Sequence, residues 1–133
     1  MWFLEDGRAA RIKEVGEFLW FRLFDVEQCL STRAYERSDD LVFEVVDHLG
    51  TSEGPAVGRY RLAAGPDGAT CRRTTDDADL TLPVAALGAA YLGGTRLAEA
   101  IRQTGATEQT PGALGRADRL FKTLDEPFCG TWF

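Results

Sequence analysis

The hydrophobic period of this sequence shifts from mostly strand-like to mostly helical near residue 83, and that shift does most to limit the fold. Upstream, apolar and polar residues alternate over short runs. In Leu41 to Asp47 (L-V-F-E-V-V-D), Leu41, Phe43 and Val45 share one face, and Val42, Glu44 and Val46 the other. Val57 to Ala63 sets Tyr60 and Leu62 inward and Arg59 and Arg61 outward. Gly65-Pro66-Asp67-Gly68 is a hairpin turn signal, Ala69 to Thr74 a strand with one wet face, and Asp79 to Leu82 a short strand. Phe18 to Phe24 (F-L-W-F-R-L-F) reads as a further, central strand, apolar on both faces except for Arg22. Asp25 then opens a helix running to about Tyr35, with Gln28 at capping-box spacing and Phe24 and Cys29 placed as a hydrophobic staple.

Downstream the period becomes helical. Val84 to Leu92 is apolar nearly all round, as a buried helix is, with Pro83 at its first position and Gly93-Gly94 ending it. Thr95 is placed to cap a helix that turns Leu97, Ala98 and Ile101 inward, and Gly105 suits its C-terminus. Ala106 to Gln109 is short enough to be extended. Thr110 and Pro111 start a last helix striped by Leu114, Ala117, Leu120 and Phe121. The expectation is an α+β domain: a mostly antiparallel sheet of about five strands with helices laid on one face. Residues 1–17 read as an N-terminal arm and 18–133 as the domain.

Charge and cysteine usage exclude several functions. Among 133 residues, 15 Lys+Arg stand against 21 Asp+Glu, a net charge of −6, and the basic residues are scattered. Such a chain has no electrostatic footprint for nucleic acid. Its most apolar run, Leu80 to Gly94, is shorter than the roughly 20 residues a membrane span needs. The start, M-W-F-L-E-D, carries no basic segment of an export signal, so a cytoplasmic location is expected. Cys29, Cys71 and Cys129 are odd in number and show no C-x-x-C spacing, and His48 is the only histidine. Neither a disulfide framework nor a metal site is expected.

The motifs that come nearest to catalysis fail at specific positions. The acids Asp76, Asp77 and Asp79 lack a calcium loop's glycine and distal glutamate, since Thr81 and Leu87 stand at those positions. Arg102 to Thr107 (R-Q-T-G-A-T) only superficially resembles an acetyl-CoA pyrophosphate loop. It ends in Thr rather than Gly or Ala and sits at a helix end, where outward carbonyls repel anions. What remains is bulk. Phe21, Phe43, Tyr60, Leu87 and Tyr91 are candidate lining residues of an apolar pocket for a hydrophobic small molecule. Phe128, Trp132 and Phe133 make an apolar tail expected to dock on the domain or on a partner.

Five blocks in order resemble a known family. They are Trp2 to Arg11, F-L-W-F-R-L-F-D-V (18–26), A-D-L-T-L-P-V-A-A-L-G-A-A-Y-L-G-G-T (78–95), P-G-A-L-G-R-A-D-R-L-F-K (111–122) and E-P-F-C-G-T-W-F (126–133). Together they are similar to the sterol-carrier-protein-like domain that ends the enhanced-intracellular-survival (Eis) N-acetyltransferases, with the first block like the linker before it. Pro83 departs from the family, where an acid is expected. The resemblance implies a domain that follows two acetyltransferase-fold domains in a hexameric enzyme. It also implies that acetyl-CoA is bound by those domains and that the terminal carboxylate, here on Phe133, reaches the active site for proton transfer. Two readings therefore stand. One is a stand-alone, non-catalytic module that binds an apolar ligand or a partner. The other is a structural and regulatory domain for an acetyltransferase partner domain, with self-association as a further role. No cofactor is expected for the chain by itself.

Overall fold

The computed structural model describes residues 22–47, 54–125 and 127. Five strands form one sheet: β1 (Asp39–Val46), β2 (Gly58–Gly65), β3 (Gly68–Arg73), β4 (Leu80–Pro83) and β5 (Thr107–Glu108), in the order β3-β2-β1-β4-β5. All neighbours are antiparallel except β1 and β4, which run parallel with Phe43 opposite Leu80. Four helices complete the described α+β fold: α1 (Val26–Thr32), α2 (Val84–Tyr91), α3 (Leu97–Thr104) and α4 (Ala113–Phe121).

Alternation decides which face is covered. Leu41, Phe43 and Val45 of β1, Tyr60 and Leu62 of β2, Cys71 of β3 and Leu80 and Leu82 of β4 project to one side, and all are buried. The helices supply Leu30, Leu87, Leu97, Leu120 and Phe121 to the same core. The ring of Phe121 meets Phe43 edge-on at 6.1 Å and Tyr35 at 6.2 Å, a preferred aromatic geometry. The other face is mostly polar, although Val42 on it is buried. Arg59 donates to Glu44, Arg61 pairs with Asp40 and Asp76, and the Thr81 hydroxyl donates to Glu44. These half-exposed pairs each contribute about 0–1 kcal/mol and chiefly keep the open face wet.

The first expected strand needs correction where it is described. Residues 22–24 are not in the sheet, while 18–21 and the expected arm over 1–17 lie outside the described residues. Leu23 is buried, but Phe24 is 66% exposed, so the expected staple with Cys29 leaves Phe24 in solvent. The local capping chemistry prevails: Asp25 caps α1 by accepting the Gln28 N–H at 2.9 Å, which makes 22–24 a helix lead-in. Among the described residues the sheet's fifth strand is the short β5, within the Ala106 to Gln109 stretch read as short enough to be extended. Helix α1 ends at Thr32, and Tyr35 turns into the core, its hydroxyl donating to the Leu30 carbonyl.

Three helix starts also differ from expectation. Pro83 closes β4 and is the N-cap of α2 rather than its first residue. Arg96, not Thr95, is the N-cap of α3, and α4 begins at Ala113 after a left-handed Gly112. Gly93 follows the end of α2 with φ +86°, and a Cβ there would collide with the Thr123 side chain. Only glycine combines that backbone with so close a neighbour.

Along the outer edge of β3 lies α1. Ser31 accepts the Cys71 N–H at 2.8 Å and Glu27 accepts the Arg73 N–H at 2.9 Å. Four residues apart on one helix face, these two side chains occupy alternate outward amides of the edge strand.

Candidate functional site

Helix α4 is where buried charge concentrates, and three joints tie it to the rest of the fold. In its first turn, Arg116 pairs with Asp39 and donates to the Asp40 carbonyl, both on β1. The Arg116 guanidinium holds the Asp39 carboxyl below its usual range. One residue past Ala117, Asp118 is buried and accepts from Arg96 and from the Ala98 N–H at the start of α3. Burial pushes the Asp118 pKa up, but Arg96 and the Ala98 amide outweigh it and leave the carboxyl below its usual range. The cap that Thr95 was expected to supply to α3 thus comes from a neighbouring helix.

The third joint is Arg33, which follows α1. Its Nε donates to the Tyr91 carbonyl at 2.8 Å and its Nη2 to the Phe121 carbonyl at 2.6 Å. Those are the last residues of α2 and α4, so one guanidinium serves two helix C-termini, where orphan carbonyls favour a cation. The guanidinium also stacks over Tyr35 at 4.7 Å and Phe121 at 5.1 Å. Burial lowers its pKa. Sequence reading misses all three joints. The available signals are Asp118 bordering the apolar stripe of α4 and Arg33 at helical spacing from the inward Leu30.

The sequence-predicted lining residues fall in different surroundings. Phe43, Tyr60 and Leu87 are at most 2% exposed and belong to the packed core. The Tyr60 hydroxyl donates to the Ala56 carbonyl. Tyr91 is half-buried and its hydroxyl donates to the Cys29 carbonyl. Phe21, His48 and the tail residues Phe128, Cys129, Trp132 and Phe133 lie outside the described residues. Two surface hollows lie among the described residues, and of the expected lining residues Tyr60 borders the first. One, of about 240 Å³, is lined by Phe24, Glu27, Pro55, Tyr60 and Arg73 among others. Another, of about 320 Å³, is lined by Arg37, Ser38, Asp39, Arg116, Arg119 and Leu120.

The described thiols are quenched. Burial pushes Cys71 up to about 12 and raises Cys29, the reverse of what a reactive thiolate needs. Among the described residues no cluster of three potential metal ligands occurs, and no helix is long and apolar enough to cross a membrane.

Comparison with known proteins gives the context. The family model described as sterol carrier protein domain matches residues 26–130. A Streptomyces avermitilis protein named as an uncharacterized N-acetyltransferase is 44% identical over 131 residues, which are 98% of this chain and 30% of that protein. A Streptomyces griseus protein named the same way is 40% identical over 126 residues, 95% of this chain and 29% of that protein. Among solved structures, Eis1 from Mycobacterium abscessus superimposes with a TM-score of 0.66 at 38% identity, covering 82% of this chain and 26% of that one. A GCN5-related N-acetyltransferase from Anabaena variabilis shares the fold, with a TM-score of 0.64 at 19% identity over 79% of this chain and 26% of that one. The chain therefore spans less than a third of each of these relatives.

Proposed function

The chain belongs to the sterol carrier protein domain family, and from that premise we propose that it serves as the non-catalytic structural domain of an Eis-type N-acetyltransferase. The observation that carries this reading is the near-complete alignment of the chain with under a third of N-acetyltransferase relatives. The filled core supports it. A ligand entering beside Phe43, Tyr60 and Leu87 would have to displace side chains already packed against one another, at a cost of the kind that overpacking incurs. The raised thiols support it too, since neither described cysteine is an activated nucleophile.

On this reading, acetyl-CoA and the amine substrate are bound by acetyltransferase domains, and this domain contributes rigidity and the carboxylate of Phe133. A carboxylate at the reaction centre can take the proton released as the amine attacks the thioester carbonyl, the C–S bond then breaking to release coenzyme A. The test is a chimera of the Streptomyces avermitilis relative in which this chain replaces the matching segment. Acetyl transfer from acetyl-CoA to an amine should persist with the intact chain and with Phe133→Ala, which still ends in a carboxylate. It should fall at least about a hundredfold when one glycine is appended after Phe133, the scale of a lost general base. Full activity in the extended chimera would remove the terminal-carboxylate role. Full activity with the segment deleted would remove the structural role as well.

A further inference from the structure

We infer that the hollow between the start of β1 and the outer face of α4 is a binding site for a phosphate monoester group. Three guanidiniums, those of Arg37, Arg116 and Arg119, line a space of about 320 Å³ in a chain whose net charge is −6. Arg116 is committed to Asp39 and to the Asp40 carbonyl, which fixes its position. Arg37 and Arg119 make no hydrogen bond or ion pair among the described residues. Arg116 also faces Asp40 and Asp79, and Arg119 acts on the Asp39 and Asp118 carboxylates, so what the hollow offers a ligand is two guanidinium forks left open among the described residues.

Those two forks select the ligand. A single carboxylate is satisfied by one guanidinium fork, whereas two open forks suit a tetrahedral group with several acceptor oxygens. A phosphate monoester carries about −1.5 to −2 charges near neutral pH, enough to engage both forks. Ser38 is also among the lining residues, its Oγ lying against Gly65. Gly65 permits this placement: the position a Cβ would take there is 2.8 Å from Ser38 Oγ, so a side chain would force the serine away. Leu120 gives the hollow an apolar base. No other cluster of described arginines has unoccupied forks around one concavity. The remaining described ion pairs, Arg22–Asp47, Arg59–Glu44, Arg61–Asp40, Arg61–Asp76 and Arg96–Asp118, are closed on carboxylates.

The experiment is calorimetric titration of the purified chain with inorganic phosphate, with phosphatidate-containing vesicles as a second arm to separate a soluble phosphate from a lipid headgroup. The expected result is one site per chain with a Kd of about 1 mM or tighter for inorganic phosphate. Vesicle binding that free phosphate competes away would identify the headgroup as the source. Phosphate binding without vesicle binding would identify a soluble monoester. Arg37→Gln with Arg119→Gln should weaken binding at least about tenfold. Neither side chain carries a hydrogen bond that the described fold would lose, so the variant's circular dichroism should match the parent, with at most a small drop in melting where Arg119 no longer faces the Asp39 and Asp118 carboxylates. Arg37→Lys with Arg119→Lys should retain part of the affinity, because it keeps the charge without the fork. Absence of binding to phosphate, or equal affinity in the Gln variant, would overturn the assignment. The site does not depend on the acetyltransferase reading, and the titration uses this chain alone.

Discussion

Replacing Arg33 with methionine isolates the joint on which α2 and α4 both end. Methionine keeps an unbranched, apolar stem against Tyr35 and Phe121 but removes every donor and the charge. Three hydrogen bonds are lost: those to the Tyr91 and Phe121 carbonyls at 2.8 and 2.6 Å, each worth about 1.5–3 kcal/mol, and an exposed, weaker one to the Ala34 carbonyl at 3.1 Å. Two stacked-cation contacts go with them, at about 0.5–1 kcal/mol each for partly exposed sites. Against this, the guanidinium no longer has to be desolvated, a cost visible in its lowered pKa. The balance is a loss of about 3 kcal/mol, or a drop in Tm of about 10 °C for a domain of this size. Urea unfolding followed by circular dichroism measures it, with an unchanged m-value showing that the native state keeps its compactness. Arg33→Lys, a cation without the planar fork, should lose about half as much. A loss below about 0.5 kcal/mol for the methionine variant, the scale of ordinary surface changes, would mean that the helix ends do not depend on this side chain.

Two buried groups supply further tests. The Asp118 carboxyl is depressed in the folded state by Arg96 and the Ala98 amide, so its contribution is fully present above about pH 4, its unfolded pKa. That contribution is lost as pH falls through the folded value. Asp118→Asn should therefore lower stability at pH 7 and flatten the stability–pH curve below about pH 5, as read by melting across a pH series. A parallel curve in the variant would contradict the pairing. Cys71, with its thiol pushed up to about 12, should resist iodoacetamide at about pH 8 in the folded protein and react on unfolding, as peptide mass spectrometry would show. Rapid labelling in the native state would refute its burial.

The sheet is largely legible in the sequence because alternation states it directly. Leu41, Phe43 and Val45 mark the buried face of β1, and Arg59 and Arg61 its opposite on β2. The buried helix α2 is equally plain from its unbroken apolar run. The aromatic richness around Phe18, Trp20, Phe21 and Phe24 misleads at residues 22–24, because the N-cap at Asp25 outweighs strand propensity there. The joints through Arg33, Arg96 and Arg116 stay hidden for a different reason. Each links residues at least 22 positions apart, and a charged side chain's partner is set by tertiary placement, which local periodicity does not encode. The arginine hollow is of the same kind, since Arg37 and Arg119 meet only once α4 lies against β1.

The contact between α1 and β3 has a consequence for how this domain can grow. A passing extended peptide lengthens a sheet by borrowing the main-chain donors of its last strand. Here two of those donors, at positions 71 and 73, are already spent on a serine and a glutamate of the domain's own helix. Recruitment of a neighbour by strand addition is blocked on that flank, and association is left to side chains.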